Sequence, residues 1–318
     1  MSGPFNTQPK LTQIAMAVKP EGMIADLVCP RIPVEGEKFV YTRFTTEDSF
    51  TVPDTNVGRT SEPNVVEFGG KDVTDQVEDH GLDDVVPNRD ILAAESGANN
   101  YDPLGVAAER TSLLVELARE QRVASLYFNP GTYAAGLRTT LAGTSQWSHA
   151  DSDPITAILT LFDEMLVRPN VAVFGQQTWT KFRTHPAVVA AVLNIGGKNA
   201  SAAAKGMASR AAVAELLELS ELHVGQSFIN NAKKGQNAAM SRCWGKHAAF
   251  MRLEKSVKDP RGSLPSFGFT AQWGDRIAGT MDLPRMGLRG STLVRVGEQV
   301  KELVSFQEAG CFFQNAVA

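Results

Sequence analysis

Phe39-Val40-Tyr41-Thr42-Arg43-Phe44, near the centre of residues 36–51, mixes aromatic, β-branched and polar side chains as a pleated, partly covered surface requires. The turn-rich stretch Pro53-Asp54-Thr55-Asn56-Val57-Gly58 follows, and residues 65–78 read as the returning strand. That strand carries Val65, Val66, Phe68, Val73 and Val77 with Asp72, Asp75 and Asp79 among them. Its apolar content is too low for a core strand and too high for a solvated loop. A ribbon covered on one face by another subunit has this pattern, and so does a hairpin packed on its own domain. On the first reading the contact candidates are Phe39, Tyr41, Phe44, Val66, Phe68, Val73 and Val77.

On the N-terminal side, Pro4, Pro9, Pro20, Pro30 and Pro33 stand too close together for a long helix, so residues 1–34 read as an extended arm. On the C-terminal side, the spacing predicts a helix over 102–128, with Asp102 as cap, Pro103 at its first position and Asn129-Pro130-Gly131 as its stop. Its apolar stripe is read as Val106, Ala107, Leu113, Leu114, Leu117, Ala118 and Ala124, with Glu109, Ser112, Glu116, Arg119 and Glu120 facing away. Such a helix is roughly 40 Å long at 1.5 Å per residue, a structural spine. A two-stranded ribbon is marginal alone, so a chain with this much length outside an evident core implies self-assembly.

The 318 residues suffice for two lobes plus appendages, and 43% apolar with 21% charged content is ordinary for a globular protein. No apolar run is long enough for a membrane span, and no signal-peptide pattern opens the chain. Cys29, Cys243 and Cys311 are scattered, which suits a reducing compartment and gives no zinc spacing. A net charge of −4, with cations spread along the chain, argues against tight nucleic-acid binding.

From Asp153 helices alternate with strands. Asp153-Pro154 opens a helix with Ile155, Ile158, Leu159, Phe162 and Leu166 on its buried face, and Val171–Gly175 reads as a buried strand. Helices are expected at 176–183, 186–194 and 209–219, a Gly/Ala/Lys loop at 196–207, and strands near 242–251, 267–273, 291–297, 300–307 and 311–317. The class is α+β.

Fragments that imitate active sites fail on chemistry. Gly143-Thr144-Ser145-Gln146-Trp147 puts Trp147 where a nucleophile elbow needs a second glycine. Gly197-Lys198 lacks both the first glycine and the following Ser or Thr of a phosphate loop. His149, Asp151 and Asp153 read as a polar turn ending in a helix cap, and the acidic run Asp72, Asp75, Glu78, Asp79, Asp83, Asp84 as a solvated strand edge that discourages pairing. No catalytic, cofactor or metal site is expected.

The order of parts resembles the major capsid proteins of tailed bacteriophages, whose HK97-like fold has an N-arm, an extended β-ribbon (the E-loop), a long spine helix in a peripheral domain and an α+β axial domain. Shared local stretches are Asp102-Pro103-Leu104, Tyr133 with Thr140-Leu141-Ala142-Gly143 and Trp147, Pro169-Asn170, Phe174-Gly175, Trp179, His185-Pro186, Trp244-Gly245 and Gly287-Leu288-Arg289-Gly290. The resemblance implies an arm at 1–34, the E-loop at 35–78, a peripheral domain at 79–150, an axial domain at 151–290 and returning strands at 291–318. Gly196, Gly197, Lys198 and Lys205 would then sit in the loop lining an axis.

It further implies hexamers and pentamers of this chain in an icosahedral shell around double-stranded DNA, held without tight specific binding. Assembly in the host bacterial cytoplasm, shell maturation, a separate scaffolding protein, a portal and decoration proteins follow from the same likeness. Lys38 and Lys71 lie in the ribbon, but no partner for a covalent cross-link is identifiable. The competing readings are an encapsulin-like nanocompartment shell, a soluble serine hydrolase using Ser145, and a DNA-binding protein using Lys233 and Lys234.

Overall fold

The computed structural model describes residues 5–43, 52, 54–65, 70–97, 101–195, 206–233, 235–256, 259–261 and 266–318. The N-terminal segment winds onto the chain itself. Strand β1 (Asn6–Thr7) is followed by α1 (Pro9–Ala17), α2 (Ala25–Val28) and β2 (Arg31–Val34). Leu11, Ala15, Ile24, Ala25, Val28, Cys29, Ile32 and Val34 are buried. The extended arm expected from the prolines is therefore folded over residues 5–34. Pro9 begins a helix at its first position, where its missing N–H is not needed.

The ribbon strands β3 (Lys38–Arg43) and β4 (Lys71–Gln76) are antiparallel partners, shorter than the expected 36–51 and 65–78. Strand β5 (Glu78–Pro87) and helix α3 (Asn88–Glu95) lead to the spine helix α4 (Pro103–Tyr127). The Asp102 carboxylate accepts the Gly105 N–H at 3.1 Å, as its capping position requires.

Beyond it lie β6 (Arg138–Thr140), α5 (Pro154–Glu164), β7 (Val171–Gly175), α6 (Gln176–Arg183), α7 (Pro186–Ile195), α8 (Arg210–Leu216) and β8 (Glu221–Gly225). A separate hairpin, β9 (Phe228–Asn230) and β10 (Met240–Arg242), precedes β11 (Ala248–Met251), β12 (Gly268–Trp273), β13 (Ile277–Leu283), β14 (Ser291–Val304) and β15 (Gly310–Gln314).

Two sheets organise these parts. In the first, the 14-residue β14 pairs with β13 and β12, and with β5 along ten residues; β1 extends β13 and β2 adds parallel to β12. In the second the order is β6-β15-β11-β7-β8, with every residue of β7 and β11 buried. The two strands expected at 291–297 and 300–307 are one continuous strand. Strands β12 and β13, which the resemblance put in the axial segment, belong to the first sheet. Among the described residues the acidic β5 is a sheet edge, and two of its charges answer cations on β14: Arg295 holds Asp83 at 2.7 Å and Lys301 pairs with Glu78.

The spine helix keeps part of its expected faces, with Ala107 and Ala124 buried and Glu109 exposed, and reverses the rest. Leu113 and Leu114 are 41% and 53% exposed, whereas Thr111, Ser112, Glu116, Arg119 and Glu120 are buried. The inward face is built of small residues, Gly105, Ala107, Ala108, Thr111 and Ser112, which allow close approach to α1 and the first sheet, followed by charges matched from other segments. The Thr111 and Ser112 hydroxyls donate back to the Ala107 and Ala108 carbonyls at 2.7 and 2.6 Å, so their burial leaves nothing unpaired.

Candidate assembly interface

A buried charge network joins the N-terminal segment, the spine helix and the first sheet, and three surfaces lie outside it. Arg31 of β2 reaches Glu298 of β14 and Asp26 of α2, each at 2.8 Å. Arg276 contacts Glu298 at 2.8 Å, Glu116 of α4, and the Ala15 carbonyl at 3.0 Å. Arg119 meets Asp26 at 2.5 Å and donates to the Cys29 carbonyl and Thr270 at 3.1 and 3.0 Å. Burial pushes the Glu298 carboxyl up, but the guanidiniums of Arg31 and Arg276 outweigh it and hold it below the usual range. The same balance, through Arg119 and Arg31, lowers Asp26.

Glu120 differs, because its partners are neutral. Its carboxylate accepts the backbone N–H groups of Ile24 and Ala25 at 3.0 and 2.8 Å, the Trp244 indole N–H at 2.5 Å and the Ser227 hydroxyl at 3.3 Å. Burial raises its pKa, and these bonds only partly offset the rise. One side chain thus ties the N-terminal segment, the spine and the root of the β9–β10 hairpin together.

The first surface is the ribbon. Phe39, Tyr41 and Val77 are buried against Ile32, Val34, Phe269, Ala271 and Leu303 of the same chain, with Val73 half-buried beside them. Those four candidates form the ribbon's root. Beyond the root, residues 54–65 are all exposed, as are Val52 at 88% and Val65 at 93%. Asp54 accepts the Asn56 N–H at 2.9 Å, and its carbonyl accepts the Asn64 amide at 2.9 Å. The candidates Phe44, Val66 and Phe68, and the axial-loop candidates Gly196, Gly197, Lys198 and Lys205, lie outside the described residues.

The second surface is the outward face of α4. Leu113 borders a cavity of about 670 Å³ shared with Ile14, Ala17, Val18 and Val106. The third is the β9–β10 hairpin, where sequence reading placed only one strand near 242–251. Its Phe228 and Met240 are 46% and 60% exposed. The buried charges of the network also escaped the sequence. The available signal was the cluster Glu116, Arg119, Glu120 at helical spacing beside small residues, which a periodicity reading assigns to solvent.

The imitation active sites resolve into structure. The Ser145 hydroxyl donates to the Ala142 carbonyl at 2.8 Å and accepts its N–H at 3.0 Å, closing a turn. His185 accepts the Ala187 N–H at Nδ1 while its Nε2 faces the His149 carbonyl at 3.0 Å and Ser152 at 3.2 Å. That pattern puts the proton on Nε2 and leaves no base aimed at Ser152. Asp153 caps α5 by accepting the Thr156 N–H at 3.1 Å. Among the described residues no group of three or more His, Cys, Asp or Glu converges as a metal site, and no helix is long and apolar enough to cross a membrane.

Residues 133–221 match the family described as Phage major capsid protein E. The whole chain is 45% identical over 317 residues to the major capsid protein of Pseudomonas phage JBD67, covering 100% of this chain and 99% of that one. A solved phage-related protein from Bordetella bronchiseptica RB50 superposes with a TM-score of 0.76 at 19% identity, covering 98% of each chain. The capsid protein of Cyanophage P-SCSP1u superposes at 0.55 with 11% identity, over 94% of this chain and 89% of that one.

Proposed function

The chain belongs to the phage major capsid proteins, and from that premise we propose how its surfaces build the shell. It is a structural component of the virion with an HK97-like α+β fold, assembled from many copies of itself and not an enzyme. In our reading the copies form hexamers and pentamers of an icosahedral head around double-stranded DNA, put together in the host cytoplasm with a separate scaffolding protein, a portal and possible decoration proteins. The full-length identity to a phage capsid protein favours this over an encapsulin-like compartment.

Residues 5–34 act as an N-terminal clamp on the spine, and 35–78 as the E-loop. Residues 79–128 with 266–304 act as the peripheral domain, and 130–253 with 310–318 as the axial domain. The supporting observation is the ribbon's division of labour. Phe39, Tyr41 and Val77 anchor its root in the chain's own core, while Val52 and Val65 beyond the root are left almost wholly to solvent. Apolar side chains held that far from their own core gain cover only from a neighbour. With −4 per copy, the assembled wall repels packaged DNA rather than gripping it.

Removal of the ribbon tip tests this. Arg43 and Lys71 are register partners, so residues 44–70 can be replaced by an Asn-Gly turn without disturbing the root. The expected product is folded, soluble and unable to form shells, by negative-stain microscopy and size-exclusion chromatography. Normal shells from this variant would sink the E-loop assignment.

A further inference from the structure

The β9–β10 hairpin belongs to neither large sheet, and among the described residues its outer edges are unpaired. Two strands alone are marginal in water. Its register places Arg242 opposite Phe228 and Met240 opposite Asn230, so these four side chains share one face. The Arg242 guanidinium lies 4.3 Å from the centroid of the Phe228 ring, and Phe228 and Met240 are both exposed. From Gln226 to His247 the sequence holds Lys233, Lys234, Arg242 and Lys246 and no acidic residue. The surface is aromatic and basic.

Its chemical complement lies on β4 and β5. From residue 71 to 84 the chain carries Asp72, Asp75, Glu78, Asp79, Asp83 and Asp84 against Lys71. Cations of β14 answer Glu78 and Asp83. Asp72 and Asp79 are exposed and engage only neutral groups, Thr42 and Gln299, among the described residues. Asp79, Gly81, Asp83 and Val85 alternate onto one face of β5. Gly81 stands opposite Gly297, so no side chain rises between the two aspartates, and Val85 beside them is 39% exposed. This leaves a side-chain-free notch over Gly81 and Gly297, bordered by Asp79 with Gln299 and by the Asp83–Arg295 pair, on a strand whose far edge is open among the described residues.

We propose that the β9–β10 hairpin of one copy docks on this β4–β5 edge of a neighbouring copy. The Phe228 ring settles over Gly81, between Asp79 and the Asp83–Arg295 pair, Arg242 meets Asp79, and Lys233 meets Asp72 of the ribbon. The proposal rests on the shell reading above, because it needs a second copy. Two different surfaces are joined, so the contact is heterologous and repeats head to tail until rotation closes a ring. Exposed charge pairs contribute little affinity each. Here they set encounter and register, while the covered aromatic supplies the adhesion.

A charge exchange in the full chain tests it, read as particle yield by sedimentation and negative-stain microscopy in about 0.1 M salt. Lys233→Glu with Arg242→Glu lowers the yield by about tenfold or more, and so does Asp72→Lys with Asp79→Lys. All four changes together restore it to within about threefold. As a check that does not depend on variants folding, carbodiimide treatment of particles made from mixed isotope-labelled and unlabelled chains joins Lys233 to Asp72 or Asp79 in mixed-label peptides. Unimpaired yield from either pair, no rescue by the fourfold exchange, or absence of that cross-link overturns the proposal. Normal yield with loss of packaged DNA in the Lys233→Glu, Arg242→Glu variant overturns it in favour of nucleic acid as the hairpin's partner. A wild-type chain that forms no particles under any condition refutes the shell reading itself, a result distinct from all of these.

Discussion

Glu120, on the buried face of the spine helix, accepts the backbone N–H of Ala25 at 2.8 Å and so caps the short helix α2 from a position 95 residues away. The same carboxylate receives the Trp244 indole, which brings the segment between β10 and β11 to the same point. The clamp formed by residues 5–34, the spine and the hairpin root therefore share one acceptor.

Glu120→Gln tests that hub. An amide keeps the volume but turns an NH2 group toward backbone N–H donors, which is expected to cost about 1–3 kcal/mol in urea unfolding. The pH dependence has a definite sign. Because the folded pKa is raised, the folded state holds the proton over a window opening at the ordinary value of 4.5. The Glu120 contribution is greatest at the acid end of that window and falls as pH rises through the raised pKa. The stability gap between wild type and Glu120→Gln narrows accordingly as pH is increased. A gap independent of pH would remove Glu120 as the titrating group.

The Arg276–Glu298 pair predicts the opposite slope. Glu298 and Asp26 have lowered pKa values, so their stabilisation is complete above the unfolded values of 4.5 and 3.8 and is lost as pH falls through the folded ones. Arg276→Met leaves Glu298 and Glu116 short of a partner at a buried site and is expected to cost about 3–5 kcal/mol. It also frees the Ala15 carbonyl, and limited proteolysis should then cut between α1 and α2 sooner than in the wild type.

Gly225 lies under Trp244, and a Cβ there would stand 2.0 Å from the indole ring. Gly225→Ala must displace the ring and strain its bond to Glu120. The expected loss is about 1–3 kcal/mol, with a change in tryptophan fluorescence that the isolated cost of an alanine would not produce.

The reversed middle of the spine, where Ser112 is buried and Leu114 exposed, predicts an unusual pair of outcomes. Leu114→Ser, on an outward position, should change the stability of the unassembled chain by no more than about 0.5 kcal/mol. Ser112→Leu, which adds apolar volume at a fully buried site, should destabilise by about 1–3 kcal/mol. Thermal unfolding of the two variants under conditions that prevent assembly decides between the faces.

Much of the architecture was legible because it rests on local rules. Asp102-Pro103 and Asp153-Pro154 announce helix starts through cap chemistry that acts within four residues, and both helices begin there. The buried strand Val171–Gly175 follows from a short apolar run bounded by Pro169-Asn170 and Gly175. The ribbon was legible as a ribbon. Which of its apolar residues serve the chain's own core was not, since Phe39, Tyr41 and Val77 find Phe269 and Leu303 across more than 190 residues of chain.

By itself the sequence determined the starts of the two capped helices, the buried strand Val171–Gly175 and the presence of the ribbon, because propensity, capping and turn chemistry are properties of neighbouring residues. Only the tertiary structure decided which face of the spine is inside. Burial of Glu116, Arg119 and Glu120 is tolerable only once Arg276, Asp26, Cys29 and Trp244 arrive from distant segments to meet them. No periodicity of the helix alone can encode that. The same holds for the N-terminal prolines, which break long helices but do not forbid a short one laid against the spine, where Leu11 and Ala15 gain a core to enter.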